Sequence, residues 1–173
     1  MARIPTGAAR LDPYQGSKFR LKWDGNYVLG ASKVSAPKWT SELVETRSGG
    51  DVSSAYKMPG QIKFEAITIE RGITHDMEFE RWANKVWNFK NSFGAETSMS
   101  DFRKDFTLEL YNEAGQLAMS WNFFNCWVSE YGLGEFDANT SGVLIEMIKI
   151  ENEGFVRDYD VPAPEELSFT SPV

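Results

Sequence analysis

Few side chains in this sequence could do chemistry. There is one histidine and one cysteine in 173 residues. His75 stands beside Asp76, the pairing of a general base with the carboxylate that orients it. At the start of a helix, however, an acidic residue is favoured by the positive end of the dipole, and the pair reads as a helix entry. One His and one Cys cannot supply an ordinary zinc set. Cys126, between Asn125 and Trp127 in an apolar stretch, reads as a small buried hydrophobe. A Gly-x-Ser-x-Gly elbow is lacking. The run Ser48-Gly49-Gly50-Asp51 lacks the Lys-Ser/Thr ending of a phosphate loop and precedes no helix, so it reads as a tight turn.

Carboxylates are more plentiful. Glu65, Glu70, Glu109, Glu146 and Glu151 fall on alternating segments, where a facing pair could cleave a glycoside. Six tryptophans could stack on sugars. A β-sandwich carbohydrate-binding module or glycosidase is therefore an open alternative, although Trp23, Trp82 and Trp121 sit at core spacing. Asn139-Thr140-Ser141 has the form of a glycosylation acceptor, but no apolar run of signal length precedes it. No catalytic, cofactor or metal set is expected.

The elements that would carry these groups are mostly strands. Phe19, Leu21 and Trp23 share one face, Asp24-Gly25-Asn26 turns the chain, and Tyr27–Val34 is expected as a second strand. From Ser35 to Gly60 the alternation fails, which predicts a long extended loop with one short strand near Leu43–Thr46. A strand over Ile62–Ile69 changes its apolar face midway and should bulge or be covered on both sides. Thr74 is placed to cap a helix over about 75–89, with Phe79, Trp82, Val86 and Phe89 on one face. Phe106–Leu110 and Leu117–Phe123 form a hairpin through Asn112–Gly115, and Val143–Glu151 is the last strand. Many antiparallel strands with one flanking α-helix predict a mainly β sandwich or barrel.

Size predicts a single domain over 1–173: an N-terminal arm over 1–16, a β core over 17–154 and an extended acidic tail over 155–173. With 18 basic and 25 acidic residues the chain carries -7, so stable binding of nucleic acid is not expected. No segment reaches the length of a membrane span.

The unusual segments occur in a telling order. They are Phe19-x-Leu-x-Trp23-Asp24-Gly25, Ala31-Ser-Lys-Val-Ser35, Glu45-Thr-Arg-Ser-Gly-Gly50 and Lys57-Met-Pro-Gly60. Then come Ile67-Thr-Ile-Glu-Arg-Gly-Ile-Thr74-His-Asp76, Trp121-x-Phe-x-Asn-Cys-Trp127 and Ile145-Glu-Met-Ile-Lys-Ile-Glu-Asn-Glu-Gly154. Their collinearity resembles the inner tail-tube family of contractile phage tails and phage-tail-like injection systems, over about nine-tenths of the chain.

The resemblance implies a structural, non-enzymatic subunit made in the bacterial cytoplasm. It would form homo-hexameric rings that stack into a hollow tube inside a sheath, with baseplate or hub proteins and a terminating cap as partners. DNA or an effector protein would pass through the lumen of this virion tail or injection particle. On this reading the 35–60 segment is an arm reaching a neighbouring subunit, with Glu45, Arg47, Gly49, Gly50, Lys57, Pro59 and Gly60 as interface candidates. Glu65, Glu109 and Glu146, taken as outward-alternating, are the candidates for an acidic lumen.

Overall fold

The structure is a computed structural model that describes residues 13–28, 30–47, 49–50, 56–86, 99–139 and 141–164. In chain order its strands are β1 (Phe19–Trp23), β2 (Asn26–Val28), β3 (Ala31–Val34), β4 (Trp39–Thr46), β5 (Tyr56–Phe64), β6 (Ile67–Gly72), β7 (Lys104–Tyr111), β8 (Leu117–Leu133), β9 (Ile145–Glu151) and β10 (Gly154–Asp158). Helices α1 (Glu78–Val86) and α2 (Met99–Phe102) lie between β6 and β7.

Eight strands form one antiparallel path in the order β2-β1-β7-β8-β9-β6-β3, with β10 paired to β8. Strand β8 is the hinge of this path. Its first half pairs with β7 and β10, and its second half pairs with β9. The change of partner falls at Asn125, whose φ of 52° is left-handed. Its N–H donates to Asp105 Oδ1 at 2.8 Å and its side-chain amide donates to Glu153 Oε2 at 2.8 Å, so the bulge is held from β7 on one side and from the β9–β10 turn on the other. Asparagine tolerates this conformation better than most residues.

The inner faces of the two halves meet in one core. Leu21, Trp23 and Phe106 come from one side, Ile67, Ile69, Ile148 and Ile150 from the other, and Phe123, Cys126 and Val128 from β8 itself. Helix α1 closes an end: Phe79 and Trp82 are buried, and Trp82 meets Trp23 edge-on with centroids 5.1 Å apart. The indole N–H of Trp82 donates to the carbonyl of Phe102 at 2.7 Å, tying α1 to α2.

Several expectations are corrected. Tyr27–Val34 is not one strand: Gly30, at φ 79°, ends β2, and β3 pairs with β6 instead of β1. The strand expected over Ile62–Ile69 is broken at Glu65-Ala66, because its two apolar faces serve different sheets. The 35–60 excursion holds two long strands, β4 and β5, paired as a separate ribbon. Residues 154–158, taken partly as tail, are strand β10, whose Phe155 packs on Phe123 at 5.4 Å between centroids. The helix cap is Asp76, whose Oδ1 accepts the Glu78 N–H at 3.0 Å, while Thr74 Oγ1 accepts the Asp76 N–H. Phe89, most of the N-terminal arm and the end of the tail lie outside the described residues.

Candidate subunit interface

The β4–β5 ribbon is the feature that its own fold does not explain. A two-stranded hairpin is marginal alone in water, and this one leaves every residue of β4 exposed and all of β5 exposed except Gly60 and Phe64. Trp39, Leu43, Val44, Tyr56, Met58 and Ile62 are each large, apolar and more than two-fifths exposed. An exposed apolar surface of this kind is a candidate interaction surface. The Glu65 N–H donates to the Lys38 carbonyl at 2.9 Å and Lys38 pairs with Glu65 at 2.7 Å, which closes the ribbon's own base, and the Phe64 ring meets Phe155 of β10 edge-on at 5.9 Å, which ties that base to the body.

Glycine permits the close approach inside the ribbon. A Cβ on Gly60 would lie 3.0 Å from both the Glu42 carbonyl oxygen and a methyl of Val44. The adjoining register shift, between Ser41 and Leu43, is a bulge that increases the local twist.

All seven interface candidates lie on this ribbon or its turn. Glu45 and Lys57 face each other across it, with 3.8 Å between charged atoms, so their first partners are each other. Arg47 follows β4, Gly49 and Gly50 are in the turn beyond it, and Pro59 and Gly60 are in β5. The apolar residues were missed. Consecutive Leu43-Val44, which breaks a two-residue period with two apolar side chains, was the available signal.

The carboxylates separate. Glu65 is partly exposed at the ribbon base. Glu146 does not face outward as expected: it alternates with Ile148 and Ile150 on the inner face of β9 and is 3% exposed. It accepts a hydrogen bond from Arg71 Nε, and the Tyr131 hydroxyl donates to its other oxygen at 3.2 Å. Glu109 is also buried, and accepts from the Tyr111 hydroxyl at 2.6 Å. Burial, followed by that bond to Glu109, pushes the Tyr111 phenol well above its usual range.

Nothing catalytic is assembled from the remaining candidates. His75 is exposed, while the Asp76 carboxylate is engaged by the helix cap and by Arg71 Nη1 at 2.9 Å. Asp76 and Glu146 share Arg71, yet Glu146 is sealed from solvent and open to no sugar. Among the described residues no group of three His, Cys, Asp or Glu is placed to hold a metal ion. Burial, the largest cause, pushes the Cys126 thiol up to about 12, which suits packing and not nucleophilic attack.

Among the described residues the chain is an antiparallel β body with an exposed apolar ribbon leaving it, and no assembled catalytic or metal site. This chain belongs to the family of the T4-like virus tail tube protein gp19, whose sequence profile matches residues 15–156. No curated protein matches it in sequence. Among solved structures, a chain of the anti-feeding prophage tube terminating cap aligns with a TM-score of 0.74 at 22% identity, covering 91% of this chain and 99% of that one. A chain of the sheath-tube terminator of an extracellular contractile injection system, PVC, in the extended state gives 0.72 at 24% identity, covering 87% and 99%. One from the PVC sheath-tube complex gives 0.69 at 23%, covering 84% and 91%. The fold is the tail-tube fold and the protein is a structural tail tube protein; nothing supports the carbohydrate-binding or glycosidase alternative.

Proposed function

We propose that the protein is the non-enzymatic inner-tube subunit of a phage tail or a phage-tail-like injection particle, that it closes into six-membered rings, and that the rings stack into a hollow conduit. The observation that carries this reading is the β4–β5 ribbon, apolar and exposed on both faces, on a chain of the tail-tube family. Heterologous contacts related by rotation close a ring, and a ribbon leaving the body can reach a neighbour that a flat face cannot. Sheath, baseplate and cap proteins are the partners, in keeping with the assemblies in which the similar chains were solved. The chain is made in the bacterial cytoplasm and assembles there.

The passage carries DNA or an effector protein. A net charge of -7 on each copy favours a wall that repels such cargo at close range and offers it no binding sites. Of the three strand carboxylates, Glu65 keeps the exposure a lumen residue needs, Glu109 alternates with core-facing Phe106 and Leu108 but is covered beside Tyr111, and Glu146 acts inside the subunit. Negative-stain microscopy of the purified protein tests the reading: rings or tubes of uniform bore are expected, and a monomer at every concentration overturns it.

A further inference from the structure

Asp24-Gly25 is the one place in the sequence where an aspartate or asparagine precedes glycine. With no side chain on Gly25 its backbone nitrogen is uncovered, and a Cβ built there would meet nothing within 4 Å. At such a pair a chain reacts with itself. The Gly25 nitrogen loses its proton and bonds to Asp24 Cγ, one carboxyl oxygen leaves as water, and a five-membered imide closes. Water then adds to one of the two ring carbonyls and breaks its bond to nitrogen. Cleavage at Cγ restores aspartate, whereas cleavage at the main-chain carbonyl leaves isoaspartate, with the backbone running through the side chain. Nothing is oxidised or reduced, and the mass is unchanged.

Two features of the fold oppose closure. The pair is the whole loop between Trp23 and Asn26, and φ is 49° at Asp24 and 79° at Gly25, which makes it a type I′ turn. In that turn ψ of the first central residue is about +30°, which sets the Gly25 nitrogen across the Cα–C bond from Asp24 Cβ, while the ring needs both on the same side. The Lys104 ammonium also binds Asp24 Oδ2. An ion-paired carboxylate is a poor electrophile, because closure must protonate an oxygen and expel it. Lys104 is itself fixed: its side chain is 17% exposed, and its ammonium lies 5.6 Å from the centre of the Trp82 ring. The weak point is β2, three residues at one end of the sheet path with Asn26 and Tyr27 exposed. Edges of this kind open without the rest of the fold.

We infer that Asp24-Gly25 is a site of spontaneous backbone isomerisation, restrained by the turn and by Lys104, that opens through fraying of β2 and not through unfolding of the subunit. Isoaspartate adds a backbone carbon to a two-residue turn, which breaks the pairing of Trp23 with Asn26 beside the buried Trp23 and Val28. Aged subunits therefore melt lower.

The test incubates full-length protein at neutral pH in heavy-oxygen water, digests samples with trypsin in ordinary water, and follows the peptide Trp23–Lys33 by chromatography and mass spectrometry. Each imide event inserts one heavy oxygen, and isoaspartate separates from aspartate at equal mass. The folded wild type should isomerise slowly, the urea-unfolded chain several-fold faster, and folded Lys104→Met faster than folded wild type, with Lys104→Arg close to wild type. Below the unfolding transition the wild-type rate should be nearly independent of urea. A folded Lys104→Met that isomerises no faster than wild type overturns the restraint by Lys104. A wild-type rate that rises in step with global unfolding overturns opening at β2, whatever the variants do, and a folded rate equal to the unfolded one overturns the lock by the turn.

Discussion

Arg71 and Glu146 form an ion pair within the subunit, with side chains only 1% and 4% exposed. The guanidinium also donates to the Asp76 carboxylate at 2.9 Å and to the Asp76 carbonyl at 2.6 Å, and lies 4.0 Å from the centre of the Phe79 ring. One cation therefore fastens β6 to β9 and to the start of α1. Glu146→Ala should leave that charge buried with its closest partner gone and cost about 3–5 kcal/mol in urea unfolding. The double replacement Arg71→Met with Glu146→Leu should cost less than the single change. A double variant as unstable as Glu146→Ala would show that the pair is not the source of the loss.

Trp82→Ala should destabilise the subunit by about 3–5 kcal/mol, through lost burial, a cavity and the orphaned carbonyl of Phe102. Thermal unfolding of the unassembled protein checks it. An unchanged midpoint would mean that α1 does not close the core.

Replacing residues 44–58 with a short Gly/Ser linker should leave a subunit that melts cooperatively, because the β4–β5 ribbon contributes none of the buried hydrophobic core. The same variant should fail to form tubes. Calorimetry and microscopy on one sample separate the two effects.

That division between core and ribbon also explains how far the sequence could be read. The Leu21, Trp23 alternation and the Phe79, Trp82 spacing are visible because each faces a core within its own subunit. Strands β4 and β5 have no such core, so no single apolar face runs along them, and Pro59-Gly60 reads as punctuation. The collinear motifs pointed to an arm where the alternation could not show two strands. Glu146 looked like a solvated strand residue because its partner is 75 positions away, and only the pairing of β6 with β9 brings Arg71 beside it. Strand β10 was hidden by its charges, Arg157 and Asp158, on an edge strand of five residues.

Alkaline conditions should weaken the fold. In the unfolded chain the Cys126 thiol ionises near its ordinary value of 9.0, whereas burial in the folded subunit pushes it up to about 12. The folded value is the raised one, so this contribution is complete below pH 9 and is lost as pH rises from there toward 12. Tyr131, raised chiefly by burial, acts in the same direction. The urea midpoint should fall between pH 9 and 11, and Cys126→Ala should make that fall shallower. A native thiol that reacts with a disulfide reagent at pH 8 as fast as the unfolded one would contradict its burial.

The proposed tube depends on the β4–β5 ribbon as the element through which copies of this chain join. A cryo-EM reconstruction of the assembled particle tests it most directly. Trp39, Leu43, Val44, Tyr56, Met58 and Ile62, exposed in the single subunit, should be covered by neighbouring copies. A tube in which the ribbon stands in solvent, with subunits joined only through the faces of the β body, would contradict the account.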